Sequence, residues 1–258
     1  MLWNRPQGSG CFRMGLGCGG HIQGAEPGQF LMVRLEGQQS PLLRRPFSIH
    51  RVIVDQGRVH GFEILYKVVG TGTALLAGAQ KGDGIDVLGP LGRSFDLHPG
   101  HKTFYFVAGG IGVAPFLFLA DRMAAAGFDM SRVNLFLGGR TASDLLCVTD
   151  FEQLGLSTNL TTDDGSRGRQ GLVTGPLEEA LGASPPDMLY ACGPLPRLRE
   201  VLAVADHHDL PCQVAIETIM ACGMGACRGG AVKDRQRNDA DRHACVDGPV
   251  FEADEILL

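Results

Sequence analysis

Over the first hundred residues, hydrophobic positions fall in short runs cut by glycine and proline. Gln29-Phe-Leu-Met-Val-Arg-Leu, Phe47-Ser-Ile-His-Arg-Val-Ile-Val, Gly61-Phe-Glu-Ile-Leu-Tyr-Lys-Val-Val and Gly84-Ile-Asp-Val-Leu each stop at a turn signal. A helical period surfaces only at Thr73-Ala-Leu-Leu-Ala, a turn or two long. Many short strands at this spacing predict a small antiparallel β-barrel over residues 1–100. From about residue 101 the pattern changes to alternating strands and helices, the mark of a parallel sheet. Thr103-Phe-Tyr-Phe-Val-Ala predicts a buried strand, followed by a glycine turn and an apolar-faced helix from Phe116 to about Ala125. Val133-Asn-Leu-Phe-Leu-Gly-Gly predicts the next strand, with a helix around Ser143–Leu154. Met188-Leu-Tyr-Ala-Cys192 predicts the last buried strand, before a helix near Leu195–Asp206. The expected fold is therefore multi-domain. It comprises an antiparallel β-barrel (1–100), an α/β parallel-sheet domain (101–210) and a small C-terminal loop domain (211–258).

Composition narrows the function classes. The 258 residues carry 37 glycines where roughly 18 are expected at about 7%, which predicts many turns and close backbone approaches to ligands. A formal net charge of -5 gives no footprint for nucleic acid or an anionic membrane. No run approaches the ~18 apolar residues of a membrane span. The first residues lack an apolar signal core, so the eight cysteines read as reduced thiols or metal ligands of a cytoplasmic protein.

Three stretches carry candidate chemistry. In Arg44-Arg45-Pro46-Phe47-Ser48 an arginine, a fixed turn, an aromatic and a hydroxyl suit one ligand with both a phosphate and a flat ring. Arg45 would fork onto the pyrophosphate; an ordinary strand start is the plain alternative. Leu65-Tyr66-Lys67-Val-Val-Gly70-Thr-Gly72-Thr73 runs from a strand into a short helix. Its free N–H groups and the Lys67 ammonium favour the same anion. In the second domain Gly109-Gly110-Ile-Gly112-Val-Ala-Pro115 sits between strand and helix, where amides face a nucleotide phosphate, although the G-x-G-x-x-G fingerprint is absent. Arg140, Asp163 and Cys192 lie at carboxyl ends of predicted strands and converge on that edge. Asp163 suits free ribose hydroxyls, which leans the site to NAD over NADP. Cys192 is the candidate catalytic residue, with a plain strand-end thiol as the alternative. None of His50, His60 and His98 has a spaced partner.

The third stretch is Cys222-Gly-Met-Gly-Ala-Cys227-Arg-Gly-Gly230, with Cys245 before Asp247-Gly248-Pro249. The C-x4-C-x2-C…C spacing is a plant-type 2Fe-2S pattern with Cys222, Cys227 and Cys245 in place. The remaining position is Gly230, which has no side chain to ligate iron. Asp234, Asp241, His243 or Cys212 would have to fill it, or the cluster is labile or lost. The plain alternative of three buried small hydrophobes sits poorly with a glycine-rich loop.

Taken in order, these motifs closely resemble the ferredoxin-reductase-like flavoproteins, and among them the electron-transfer subunits of class 1B, NAD-dependent dihydroorotate dehydrogenases. The matching runs are Pro27-Gly-Gln-Phe, Arg44-Arg-Pro-Phe-Ser-Ile, Tyr66-Lys-Val-Val-Gly-Thr-Gly-Thr, Val107-Ala-Gly-Gly-Ile-Gly-Val-Ala-Pro, Ala191-Cys-Gly-Pro, Met220-Ala-Cys-Gly-Met-Gly-Ala-Cys and Cys245-Val-Asp-Gly-Pro-Val-Phe. The resemblance implies FAD held by Arg45, Pro46, Phe47, Ser48, Leu65, Tyr66, Lys67, Gly72 and Thr73. It also implies NAD on the second domain and a 2Fe-2S cluster on the C-terminal loop. It further implies a heterotetramer with a catalytic FMN-containing dihydroorotate dehydrogenase subunit, acting in pyrimidine biosynthesis. Two departures stand out: the family's first barrel strands are unclear before Pro27, and its third cluster cysteine falls on Gly230. Three other readings use the same motifs: a related NAD(P)H:ferredoxin or sulfide-dehydrogenase-type subunit, a cluster-less flavin reductase, and a binding subunit without a redox chain.

Overall fold

The computed structural model describes residues 1–18, 24–38, 40–237 and 240–258. It begins with a hairpin of β1 (Trp3–Gly8) and β2 (Cys11–Gly17) in the stretch where strands were unclear from sequence. Its pattern is obscured by Pro6, Gly8, Gly15 and Gly17. Pro6 is tolerated because β1 is an edge strand, where a missing N–H breaks no ladder. Gly15 lies beneath the Trp3 indole, 2.5 Å from where a Cβ would stand. There follow β3 (Phe30–Leu35), β4 (Arg45–Asp55), β5 (Arg58–Lys67), α1 (Thr71–Gly78) and β6 (Ile85–Leu91). The six strands form one antiparallel sheet in the order β1-β2-β5-β4-β3-β6. The expected barrel is not closed by a ladder: β1 and β6 share none. Main-chain bonds of Met1 with Gly82 and Asp83 bring those edges together instead.

The second sheet is built from β7 (Phe104–Gly109), β8 (Val133–Gly139), β9 (Ser157–Thr162), β10 (Arg169–Gln170), β11 (Met188–Cys192) and β12 (Cys212–Ala215), all parallel. The helices are α2 (Phe116–Ala125), α3 (Val148–Gln153), α4 (Thr174–Ala183) and α5 (Leu195–His207). Every residue of β7 and β11 is buried, the burial on both faces that their unbroken apolar runs predict. The chain then makes β13 (Ala231–Asp234), β14 (Asp241–His243), β15 (Val250–Glu252) and β16 (Ile256–Leu257). β15 returns to pair antiparallel with β12 and completes the order β10-β9-β8-β7-β11-β12-β15. β14, β13 and β16 make a small sheet of their own.

Two further expectations need correction, and one helix was missed. Met188–Cys192 is not the last buried strand, because β12 is buried throughout and lies beside it; four residues after a proline are too few to show a period. The helix expected around Ser143–Leu154 is split into a 3-10 turn at Ala142–Asp144 and α3. The Asp144 carboxylate accepts the Arg140 and Thr141 N–H groups, and Cys147 between the two pieces takes a left-handed φ of 60°. α4 went unmarked in the hydrophobic pattern, since Gly175, Pro176 and Gly182 break its period.

Candidate functional site

A cleft of about 290 Å³ opens on the first sheet beside the second domain. Arg45, Pro46, Phe47 and Ser48 from β4, Leu65, Tyr66 and Lys67 from β5, and Thr73 from α1 all line it. Motifs twenty residues apart in sequence are thus brought together because β4 and β5 pair. Phe47 and Tyr66 lie 5.6 Å apart between ring centroids, with Phe12 stacked beyond Tyr66 at 5.8 Å. The Tyr66 hydroxyl donates to Asn4 Oδ1, and burial pushes its pKa up to about 12, so the phenol stays neutral. The two arginines of the motif divide. Arg44 pairs with Asp86 at 2.8 Å, whereas Arg45 packs on Gly72, whose Cβ would stand 2.9 Å from Arg45 Nε. Arg45 donates to the Leu43 carbonyl and forms no ion pair among the described residues. Its guanidinium and the first N–H groups of α1 form an anion-binding corner. The Thr73 hydroxyl faces inward instead: it donates to the Gly70 carbonyl and accepts the Val69 and Gly70 N–H groups, so its part is to hold the turn.

A second cleft of about 500 Å³ lies at the carboxyl ends of β7, β8 and β9. Gly109, Gly110, Arg140 and Asp163 line it, as expected, together with Gly138, Gly139, Asp144 and Arg197. Arg197 was not singled out from sequence. It comes from α5, and its Nη2 lies 3.8 Å from Asp163 Oδ1. Gly138 would carry a Cβ 2.5 Å from Arg197 Nη1, so the glycine pair at the end of β8 makes room for that guanidinium. Asp144 pairs with Lys67 at 3.8 Å. Although it is partly buried, hydrogen bonds from Ser9 and the Thr141 N–H, with Lys67 and Arg140 nearby, hold its carboxyl below the usual range. Gly112 and Pro115 do not line either cleft. Gly112 lets the 3-10 turn Gly110–Val113 close on β11, 2.4 Å from the Cys192 carbonyl oxygen at its would-be Cβ, and Pro115 caps α2. The Cys192 thiol is buried, pushed far up by that burial, and lines neither cleft. Lys67 and Ile111 belong to both clefts, which therefore adjoin.

Ile216, Thr218 and Pro249 close the first cleft from the C-terminal segment. Beyond them lie the three cysteines, Cys222 and Cys227 as a close pair and Cys245 linked to their loop through the Gly225 amide. Cys222 Sγ and Cys227 Sγ lie 3.3 Å apart, and the Gly225 N–H points at Cys245 Sγ at 3.2 Å. The Met224 and Cys227 amides point at Cys222 Sγ, and the Gly229 amide at Cys227 Sγ. Left-handed φ at Gly225, 81°, turns its amide inward. Amides aimed at sulfur stabilise thiolate, and with the Gly229 and Cys222 backbone contacts the Cys227 pKa is pulled down to about 7. Burial pushes Cys245 up. This donor set fits an iron–sulfur cluster through three thiolates. Of the substitutes for the fourth, Cys212 is in the core on β12, Asp234 is held by Arg242 at 2.8 Å, and Asp241 by Lys233 at 2.8 Å.

Residues 217–257 match the iron-sulfur cluster binding domain of dihydroorotate dehydrogenase B, and residues 106–204 an oxidoreductase NAD-binding domain. The "Dihydroorotate dehydrogenase B (NAD(+)), electron transfer subunit" of Desulforamulus reducens is 37% identical over 235 residues, 90% of this chain and 87% of that protein. The Geobacillus kaustophilus protein of the same name is 39% identical over 236 residues, with the same coverage. The chain belongs to the electron transfer subunits of dihydroorotate dehydrogenase B. As such an electron transfer subunit it is an oxidoreductase component with an NAD-binding module and an iron–sulfur module. Among solved structures it is similar to the NADH-dependent reduced ferredoxin-NADP oxidoreductase reported for flavin-based electron bifurcation, with TM-score 0.84, 27% identity, and 99% of this chain and 88% of that one covered. The cytochrome b5 reductase domain of Ulva prolifera nitrate reductase shares the fold, with TM-score 0.65, 18% identity, and 81% and 92% covered.

Proposed function

We propose that this subunit carries electrons from an FMN-bearing, dihydroorotate-oxidising partner to NAD+ through a 2Fe-2S cluster and FAD, both bound to this chain. The observation that carries the reading is contiguity. Thr218 lines the first cleft four residues before Cys222, and Lys67 and Ile111 are shared by the first and second clefts. The cluster and FAD supply one-electron acceptance and the change to two-electron, hydride-type transfer.

The chain's own residues do the binding and placing. Arg45 and the N-terminus of α1 hold the FAD pyrophosphate, with Gly72 letting the guanidinium approach. Phe47 and Tyr66 flank the ring system, and Pro46, Ser48 and Leu65 shape its edge. Thr73 fixes the turn. Gly109 and Gly110 receive the dinucleotide phosphates, and Asp163, oriented by Arg197, takes the ribose. Gly112 and Pro115 seat the turn. The role left for Cys192 is positional, because its carbonyl supports Gly112 while its thiol is buried. Cys222, Cys227 and Cys245 ligate the cluster.

Ile219, Met224 and Val246 surround the cysteine loop and are 91%, 56% and 50% exposed. This apolar face is where the partner would dock, in a heterotetramer. Among the described residues no helix is long and apolar enough to cross a membrane. We place the complex in the cytoplasm because a reducing compartment keeps thiols available as ligands. The likeness to the ferredoxin-NADP oxidoreductase favours a second reading, a ferredoxin-linked subunit.

Anaerobic stopped-flow reduction decides the core of the proposal. NADH should bleach the flavin faster than NADPH, since the Asp163 carboxylate repels a 2′-phosphate. Equal or faster reduction by NADPH overturns the nucleotide assignment. Co-purification with dihydroorotate-dependent NAD+ reduction separates the first reading from the second.

A further inference from the structure

In the cysteine spacing, the residue three past Cys227 is Gly230, at a left-handed φ of 68°. A Cβ built on it would stand 2.6 Å from Thr218 Oγ1, the nearest atom, and 3.2 Å from the Ile219 carbonyl oxygen. A hydroxyl therefore fills the space from which a side chain at 230 would start. That oxygen is buried, although Thr218 also lines the first cleft, and it has no hydrogen-bond partner among the described residues. A buried hydroxyl left without a partner is costly, so it calls for an acceptor or an ion that completes it. The same wall reaches the cysteines: a Cβ on Gly229 would lie 3.3 Å from Cys227 Sγ and 3.6 Å from the Ile219 carbonyl oxygen. Cys212, Asp234 and Asp241 are engaged elsewhere, as described above. Among the four candidates raised by the sequence, His243 on β14 is left as the competitor.

We propose that Thr218 Oγ1 is the fourth donor to the cluster, an oxygen in place of the third loop cysteine; this rests on the cluster reading above. On ligation the hydroxyl lone pair replaces water at the open iron. The hydroxyl proton passes to solvent and no oxidation state changes. The substitution preserves a closed loop while giving the cluster one harder, non-thiolate ligand, which alters its spectrum and potential.

The test uses the full chain, reconstituted anaerobically with ferrous iron and sulfide. Iron and acid-labile sulfide are counted per chain, and EPR spectra are recorded after dithionite reduction. Thr218→Ser keeps the oxygen and should match wild type in iron content and signal. Thr218→Val, nearly the same shape, should lose at least half the iron while melting near the wild-type temperature. Thr218→Cys should retain iron but change the EPR signal to that of an all-thiolate cluster. A Thr218→Val protein with wild-type iron and an unchanged signal overturns the proposal, as does iron loss in His243→Ala but not in Thr218→Val. Should Thr218→Val fail to fold, a Thr218→Cys signal identical to wild type overturns it equally. Wild-type protein that takes up no iron defeats the cluster reading itself, a distinct failure.

Discussion

His50 is fully buried where the first sheet meets the second domain. Its Nδ1–H donates to the Ala114 carbonyl at 2.6 Å, and Nε2 lies 3.7 Å from Cys147 Sγ. Burial, the Arg13 and Arg51 charges adding to it, pushes its pKa down to about 4. The unfolded chain takes up a proton below about pH 6.5 that the folded chain refuses until about 4. Stability from this ring is therefore complete above pH 6.5 and lost as pH falls toward 4, by up to about 3 kcal/mol. Melting temperatures between pH 7.5 and 4.5 check this; His50→Asn, which keeps a donor for Ala114, should shrink the acid drop by about half. A second residue prediction concerns Arg45. Its replacement by alanine should weaken FAD retention by roughly 1.5–3 kcal/mol, the range for hydrogen bonds to a charged group, read as flavin content after gel filtration. That Arg45, Phe47 and Tyr66 would face one cleft was legible in the sequence because each motif is local and β4 and β5 pair. Arg197 and Thr218 were not, since each acts on a residue from another segment (Asp163 and Gly230) that no spacing rule connects to it.

Among the elements, the cysteine loop is the one whose backbone constrains what can be engineered. Gly230→Cys would restore the four-cysteine spacing, yet the new Cβ meets Thr218 Oγ1 and is held at φ 68°. That conformation costs a non-glycine residue about 1–3 kcal/mol. The single substitution should therefore lower the melting temperature, and a companion Thr218→Ala should recover part of the loss by clearing the clash. Thermal melts of both variants, with and without reconstituted iron, make the comparison. The strands and helices with unbroken periods, β7, β8, α2 and α5, were legible nearly to the residue. β1 and β2 were hidden by Pro6 and their glycines, and β12 by its length; β2 takes its register from β5, and β12 from β11 and β15, partners in other segments.

At the scale of the molecule, polar ties fix the two large units against each other. Arg51 clasps Asp121 with two bonds of 2.7 Å, Arg13 reaches Asp150 at 3.1 Å, and Ser9 donates to Asp144 at 2.9 Å. Phe118 of α2 packs into the core of the first sheet. The two clefts hence keep their shared wall at Lys67 and Ile111 without a partner present. The proposed docking face makes a separate prediction. Ile219→Asp should leave the melting temperature within about a degree or two, because an exposed site seldom changes stability by more than ~0.5 kcal/mol. It should weaken complex formation by about 2 kcal/mol or more, the cost of a charge in an apolar contact. Analytical ultracentrifugation of the two subunits would show it.

The return of β15 to β12 gives the chain a further property. Residues 216–249 leave the second sheet at one edge strand and come back to that same edge, with β15 antiparallel to β12 between Ala215 and Val250. In topological terms the iron-binding segment is a cassette with entry and exit paired side by side, tied to the chain beyond it by the β13–β16 ladder. Cassettes of this kind can be exchanged whole. A four-cysteine loop from a relative, spliced between Ala215 and Val250, would meet the same two anchor points. The ligand set of this chain could then diverge, provided that Ile216, Thr218 and Pro249, which close the first cleft, are kept.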